Sequence, residues 1–255
     1  MAETLIESLV DYSVSLNGVI IPVGSVQSAL ARYAQCLFVW NDDEVYKVST
    51  AGSSVAIKYR GRFLLICCRH QLKGIDPSRV SLLTSDGESC LSSAGVRHFD
   101  RRLNEWDYHD LAAFDFTEPC LCHPSMQERF FTLKTAPPNG PNVEIPFLIL
   151  AGFPSKAQAY ELEDNKLGLA KRIQICVLDS QPSDDSLLLL RTIDPMTYEP
   201  DGMSGGSAFS VHMVQDALTA FFAGIIVRAG NGFYRIVKAG YVIRFLDQFV
   251  NDLES

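Results

Sequence analysis

Short apolar runs, separated by glycine, proline and polar residues, dominate this chain, and few stretches sustain a helical period. Gly52-Ser53-Ser54-Val55-Ala56-Ile57-Lys58-Tyr59 alternates and then breaks at Arg60-Gly61. Phe63-Leu64-Leu65-Ile66-Cys67-Cys68 follows as a wholly apolar run, so the two segments predict a hairpin whose second strand is buried. A further short apolar strand is predicted over Leu111-Ala112-Ala113-Phe114-Asp115-Phe116, with Asp110 at its head. The exception to this pattern is the C-terminus. There Val242, Phe245, Leu246, Phe249, Val250 and Leu253 have the spacing of an amphipathic helix. Many short strands and one closing helix argue for an all-β chain. At 255 residues it is long enough for one sizeable core or two small ones. The proline-rich Thr135-Ala136-Pro137-Pro138-Asn139-Gly140-Pro141-Asn142 marks the expected connection between two halves, or a loop close to it. No internal repeat and no low-complexity tail is visible.

Charge and cysteine usage narrow the function classes. A net charge of −8 argues against a nucleic-acid surface, which would need a basic patch to displace counterions. Lysines and arginines are scattered, apart from short pairs such as Arg101-Arg102 and Lys171-Arg172. No apolar run approaches the roughly 20 residues that cross a bilayer, so no membrane partner is expected. Met1 to Glu7 lacks the basic region and sustained apolar stretch of a secretory signal. The seven cysteines, Cys36, Cys67, Cys68, Cys90, Cys120, Cys122 and Cys176, are odd in number and follow no disulfide framework, so the expected setting is reduced and cytoplasmic. Cys120-Leu121-Cys122-His123 offers metal-ligating residue types, but a structural zinc site wants four ligands with wider spacing and a second cluster. No metal and no cofactor is expected. Cys67 and Cys68 are strand neighbours and point to opposite faces, one into the core and the other toward His70.

The candidate chemistry begins at Gly202-Met203-Ser204-Gly205-Gly206-Ser207. A serine between glycines, entered from Asp201 and left toward Ala208-Phe209, suits an exposed nucleophile whose neighbouring main-chain amides a substrate carbonyl can approach. A serine hydroxyl is inert without a base, and the base needs a third group to orient it. His70 stands at the exit of the buried strand Phe63–Cys68, and Asp110 stands where a carboxylate can accept the imidazole N–H. Asp107 and Asp115 are weaker candidates for the acid. His109 lacks a preceding apolar strand, and His98, His123 and His212 read as structural or surface residues. Met213, Phe221 and Phe222 read as core. Each element taken singly has an ordinary explanation: a glycine-rich turn, a core histidine, an acid capping a strand. Their occurrence together in one order is what points to catalysis.

With His70, Asp110 and Ser204 in that order, the chain resembles the trypsin-like (chymotrypsin-fold) serine peptidases across residues 35–255. The Gly-x-Ser-Gly-Gly turn matches Gly202 to Gly206, the histidine-bearing strand matches Phe63 to Leu72, and the Asp-(Ile/Leu)-Ala strand matches Asp110 to Phe114. Ile149-Leu150-Ala151-Gly152-Phe153-Pro154 and Ala223-Gly224-Ile225-Ile226-Val227 are also similar to strands of that family. The resemblance implies two packed six-stranded antiparallel β-barrels and a C-terminal helix. Residues 1–130 would carry His70 and Asp110, and residues 131–255 would carry Ser204 and the closing helix. It further implies a peptide-bond hydrolase with an oxyanion hole at the Gly202 and Ser204 amides. The specificity pocket floor would lie near Tyr198, and the substrate would lie along Val227, Arg228 and Ala229.

Where secreted members have an aspartate before the serine this chain has Met203, so activation by a freed N-terminus is not expected. Control would come from a regulatory protein partner, a ligand or substrate access. The overall look resembles intracellular bacterial members, some of which act in anti-phage systems. The α/β-hydrolase elbow also fits the pentapeptide, but its acid and histidine follow the serine, and only His212 follows Ser204. A peptidase-fold binding module that does not cleave, and an esterase on the same residues, are the remaining rivals.

Overall fold

The computed structural model describes residues 13–45, 47–98, 107–138, 145, 147–161, 166–215 and 217–253. A hairpin of β1 (Ser13–Leu16) and β2 (Val19–Pro22) leads through α1 (Val26–Ala31) into the first large sheet. That sheet comprises β3 (Ala34–Trp40), β4 (Val48–Tyr59), β5 (Arg62–Cys68), β6 (Val80–Leu83), β7 (Cys90–Ser92), β8 (Gly95–His98) and β9 (Leu111–Asp115), in the order β7-β6-β3-β4-β5-β9-β8. All of these neighbours pair antiparallel. The sheet curls into a half-barrel. After α2 (Thr117–Cys122) and α3 (Pro124–Gln127), β10 (Phe131–Thr132) adds to β4 in parallel.

The second half is a ring. Its strands are β11 (Phe147–Gly152), β14 (Arg172–Leu178), β15 (Leu187–Thr192), β16 (Ser207–Val214), β17 (Ala217–Gly230) and β18 (Phe233–Lys238), with the small hairpin β12 (Ala159–Glu161) and β13 (Lys166–Gly168) outside it. The order β16-β11-β14-β15-β18-β17 closes because β17 pairs back onto β16, giving a six-strand barrel. Helix α4 (Ala239–Leu253) ends the described chain. The architecture is therefore all-β with a C-terminal helix, as expected, and is compatible with a chymotrypsin-like fold. One sheet closes and the other only curls.

Strand pairing also places the N-terminal hairpin. β1 runs parallel to β17, with Val14 opposite Leu218, so residues 13–22 attach to the second sheet. The last described pairing of the first half is at Thr132 and the next strand begins at Phe147. The proline-rich segment thus lies in the connection, and its residues 139–142 lie outside the described residues.

Why β5 reads as an unbroken apolar run follows from its two buried faces. Phe63, Leu65 and Cys67 pack with Leu37, Phe114 and Phe116. Leu64, Ile66 and Cys68 face a core shared with the second barrel, which contributes Phe209, Phe222 and Ile225. Helix α4 seals that shared core with Val242, Phe245, Leu246, Phe249 and Val250, the predicted stripe; Leu253, at its frayed end, is exposed. The helix is pinned to the β4–β5 turn, where Tyr59 Oη donates to Asp247 at 2.7 Å and Arg60 pairs with the same carboxylate at 2.9 Å. Met213 corrects the core reading: it is 42% exposed, because it lies near the end of β16, past the shared core that covers Phe209 and Val211 on the same strand face. Phe221 is only half-buried, whereas Phe222 is in the core.

Candidate active site

The site grows from the ends of β5 and β9. These strands pair with Cys68 opposite Leu111, so the residue before Leu111 meets the chain just past Cys68. Asp110 closes a 3-10 turn (Asp107–Asp110), and His70 sits in another (Arg69–Leu72). The Asp110 carboxylate grips His70 twice: Oδ1 accepts the His70 backbone amide at 3.0 Å, and Oδ2 lies 2.5 Å from ring Nδ1. A carboxylate there requires the proton on Nδ1, which leaves Nε2 with its lone pair as a base. Asp110 is mostly shielded, at 18% side-chain exposure, while the His70 ring is 45% exposed. The acid is thus held inside and the base is half-exposed.

The other two aspartates have different situations. Asp115 is buried in β9 and accepts from the Thr117 amide and hydroxyl and from Arg62. Asp107 opens the 3-10 turn that Asp110 closes. His109 stacks on Tyr108, ring centroids 4.1 Å apart.

Ser204 is carried by a tight turn. The Met203 amide donates to Pro200 O at 2.9 Å, and the Gly206 amide to Met203 O at 3.0 Å. Gly202 and Gly205 both adopt left-handed φ, +88° and +84°. Gly205 is also a point of closest approach: a Cβ there would lie 2.1 Å from Ser53 O and 2.7 Å from Gln71 Oε1. Because Gln71 follows His70 and Gly205 follows Ser204, the two catalytic candidates stand on segments in direct contact. The Ile226 carbonyl joins them as well, accepting from Gly205 N at 2.7 Å and from Cys68 Sγ at 3.3 Å.

The Ser204 hydroxyl donates to Val227 O at 3.1 Å. Of the two hydrogen bonds in a Ser-His-Asp relay, the histidine–aspartate bond is formed, and the serine hydroxyl rests on the strand beside it. The Gly202 and Ser204 amides have no acceptor among the described residues. They are the donors available for an anion.

Val227, Arg228 and Ala229 lie where β17 outruns its partner. The β16–β17 pairing ends at Ser207 opposite Ile225, and a bulge between Ile226 and Arg228 turns the strand there. Val227 is buried, Arg228 exposed and Ala229 half-buried. Tyr198 is tied to the barrel interior, its hydroxyl 2.8 Å from that of Tyr234, and burial raises its pKa above the usual tyrosine value.

Met203 points into the same interior, fully buried in the cluster with Leu150, Ala208 and Ile226. An aspartate at this position would be a carboxylate in an apolar cluster. Met203→Asp is expected to destabilise the fold by roughly 3 kcal/mol or more, measured as a lowered urea midpoint at unchanged slope.

Two residues outside the predicted set organise the site. Gln71 accepts the Cys68 amide at 2.7 Å and donates to Ala51 O and Ser53 O at 3.2 and 3.0 Å, locking the His70 turn to β4. Ser53 is fully buried; its hydroxyl donates to Gly202 O at 2.6 Å and accepts from Phe153 N at 2.7 Å. Sequence offered one signal for Ser53, a polar pair (Ser53-Ser54) directly before the apolar run Val55-Ala56-Ile57.

Of Cys67 and Cys68, the second faces the site. Its thiol lies within 4.8 Å of the ligating atoms of both His70 and Asp110. Those atoms are engaged with one another and, at the thiol, with the Ile226 carbonyl. Among the described residues no disulfide forms, and no helix is long and apolar enough to cross a membrane. No protein-family model and no curated protein matches the chain.

Proposed function

We propose that the protein is a serine endopeptidase of the trypsin-like type. The observation that carries this reading is the double grip of Asp110 on His70, on a turn in contact with the one that carries Ser204, whose adjacent amides have no acceptor among the described residues. Rotation about the Ser204 Cα–Cβ bond releases the hydroxyl from Val227 O, and substrate binding tightens catalytic hydrogen bonds that are loose in the free enzyme. Ser204 Oγ then attacks the peptide carbonyl carbon while His70 Nε2 takes the hydroxyl proton. The Gly202 and Ser204 amides hold the oxyanion, and His70 returns the proton to the leaving amine as the C–N bond breaks. Water, deprotonated by His70, then cleaves the acyl-serine ester. The stretch Val227 to Ala229, beyond the end of the β16 pairing, suits an extended peptide added as a further strand, with Tyr198 at the pocket floor. A buried methionine before the serine supports control by a partner or ligand, and the unpaired cysteines fit a cytoplasmic setting.

A second reading, a peptidase-fold binding module, is favoured by one observation, the serine hydroxyl resting on Val227 O. A fluorophosphonate probe separates the two. Covalent labelling of wild type, mapped to Ser204 by mass spectrometry and absent in Ser204→Ala, is expected for the peptidase. Failure of the folded wild-type protein to label would establish the module. Turnover of acyl esters without cleavage of any peptide in a library would instead leave an esterase.

A further inference from the structure

At the seam of the two sheets, between β3 and the residues just past β11, lies a cavity of about 330 Å³, at the small end of the range for small-molecule sites. Phe38, Leu83 and Phe153 give it apolar walls, Leu169 stands at its rim, and two cations enter it, Arg129 and Lys171. Arg129 donates through Nε and Nη2 to Gln35 Oε1, the Nε bond being 2.9 Å, and through Nη1 to the Leu83 carbonyl and Met126 Sδ. Lys171 Nζ donates to Ala31 O at 2.7 Å and stands 5.3 Å from the centre of the Phe153 ring. Every one of these partners is neutral, and neither cation meets a carboxylate among the described residues.

Two like charges, each partly buried and beside one another, are an unusual arrangement to leave without counter-charge. Burial and the Arg129 guanidinium push the Lys171 pKa down to about 8. The ammonium has three donors and uses one of them on Ala31. A guanidinium and an ammonium together suit the oxygens of a carboxylate or phosphate. The aromatic and aliphatic walls suit a compact apolar group attached to it.

We propose that this cavity binds a small organic anion, with its carboxylate or phosphate head between Arg129 and Lys171 and its apolar body against Phe38, Leu83 and Phe153. The site is independent of the peptidase reading, because its readout is binding and not turnover.

Calorimetric titration of the full chain with benzoate, phenyl phosphate and the neutral isostere benzamide tests it. Saturable one-site binding of at least one of the two anions with Kd below about 1 mM is expected, with benzamide at least about tenfold weaker. The tighter of the two anions identifies the head group. Lys171→Met, which keeps the side-chain bulk, and Leu169→Glu, which puts a repelling charge at the exposed rim without entering the core, should each weaken the anion about tenfold or more. No saturable binding of either anion, benzamide binding as tightly as benzoate, or unchanged affinity in a folded Leu169→Glu protein would overturn the proposal.

Discussion

Asp110→Asn is expected to slow phosphonylation of Ser204 by a fluorophosphonate, with loss of fluoride, by about four orders of magnitude, the loss typical when a triad carboxylate becomes an amide, while the fold and its melting temperature change little. The reason lies in the two bonds that the carboxylate accepts. The His70 backbone amide and the ring Nδ1 each approach a separate oxygen. An asparagine has one oxygen and one NH₂ to present to these two donors. If the amide oxygen takes the backbone N–H, the NH₂ faces Nδ1 and drives the ring proton to Nε2, the atom that must act as base. If the oxygen takes the ring, the NH₂ opposes the His70 amide and unseats the turn that carries the ring. Either outcome removes the base without removing a side chain. The check is the second-order labelling rate at neutral pH beside a thermal melt. An Asp110→Asn protein that labels at the wild-type rate would remove Asp110 from the mechanism, whatever its distance from His70.

Much of this arrangement was legible in the order of residues along the chain. The run Phe63–Cys68 is apolar on both faces because both faces are covered, and a strand of that kind can only be central. With β5 central and β9 paired to it, His70 and Asp110 fall at adjoining strand ends by register alone. What the pattern could not show is contact across long stretches of sequence. Ser53 and Gly202 are 149 residues apart, and Ser53 and Phe153 are 100 apart. Nothing local to Ser53 distinguishes a hydroxyl that spans two sheets from one that bonds within its own, as Ser54 does to Gln35 O. The attachment of β1 to β17 was hidden for the same reason, since a parallel pair leaves no turn between its strands to announce it. Met213 was misread because it continues the face of Phe209 and Val211, and only the extent of the core beneath that face decides where along β16 burial stops. The direction of the Ser204 hydroxyl is a side-chain torsion among near-equal wells, and no sequence pattern encodes it.

Ser53→Ala carries the second large expected effect, and it separates positioning from packing. The Ser53 hydroxyl is the buried link between Phe153 N and Gly202 O, so removing it strands a donor and an acceptor, each at about 1–3 kcal/mol. Loss of stability alone would say little. The Gly202 carbonyl, however, belongs to the peptide that separates the Gly202 and Ser204 amides, and the apolar Met203 side chain beneath it offers that peptide no hydrogen bond. On the peptidase reading, freeing the loop from Ser53 misplaces one of the two proposed oxyanion donors, and loss of one such donor lowers the chemical rate about 10²–10³-fold. The expected signature is a fall of that order in the limiting inactivation rate by fluorophosphonate, with the half-saturating concentration unchanged within about twofold, since the substitution leaves the proposed substrate strand Val227 to Ala229 untouched. Ser54→Ala is the control: it also deletes a buried hydroxyl from β4, but one that bonds Gln35 O and touches no part of the turn. It should lose stability and keep the limiting rate. If both variants fall in rate by the same factor, the effect is general loosening of β4 and the loop is set by Gln71 and the glycine turn without Ser53.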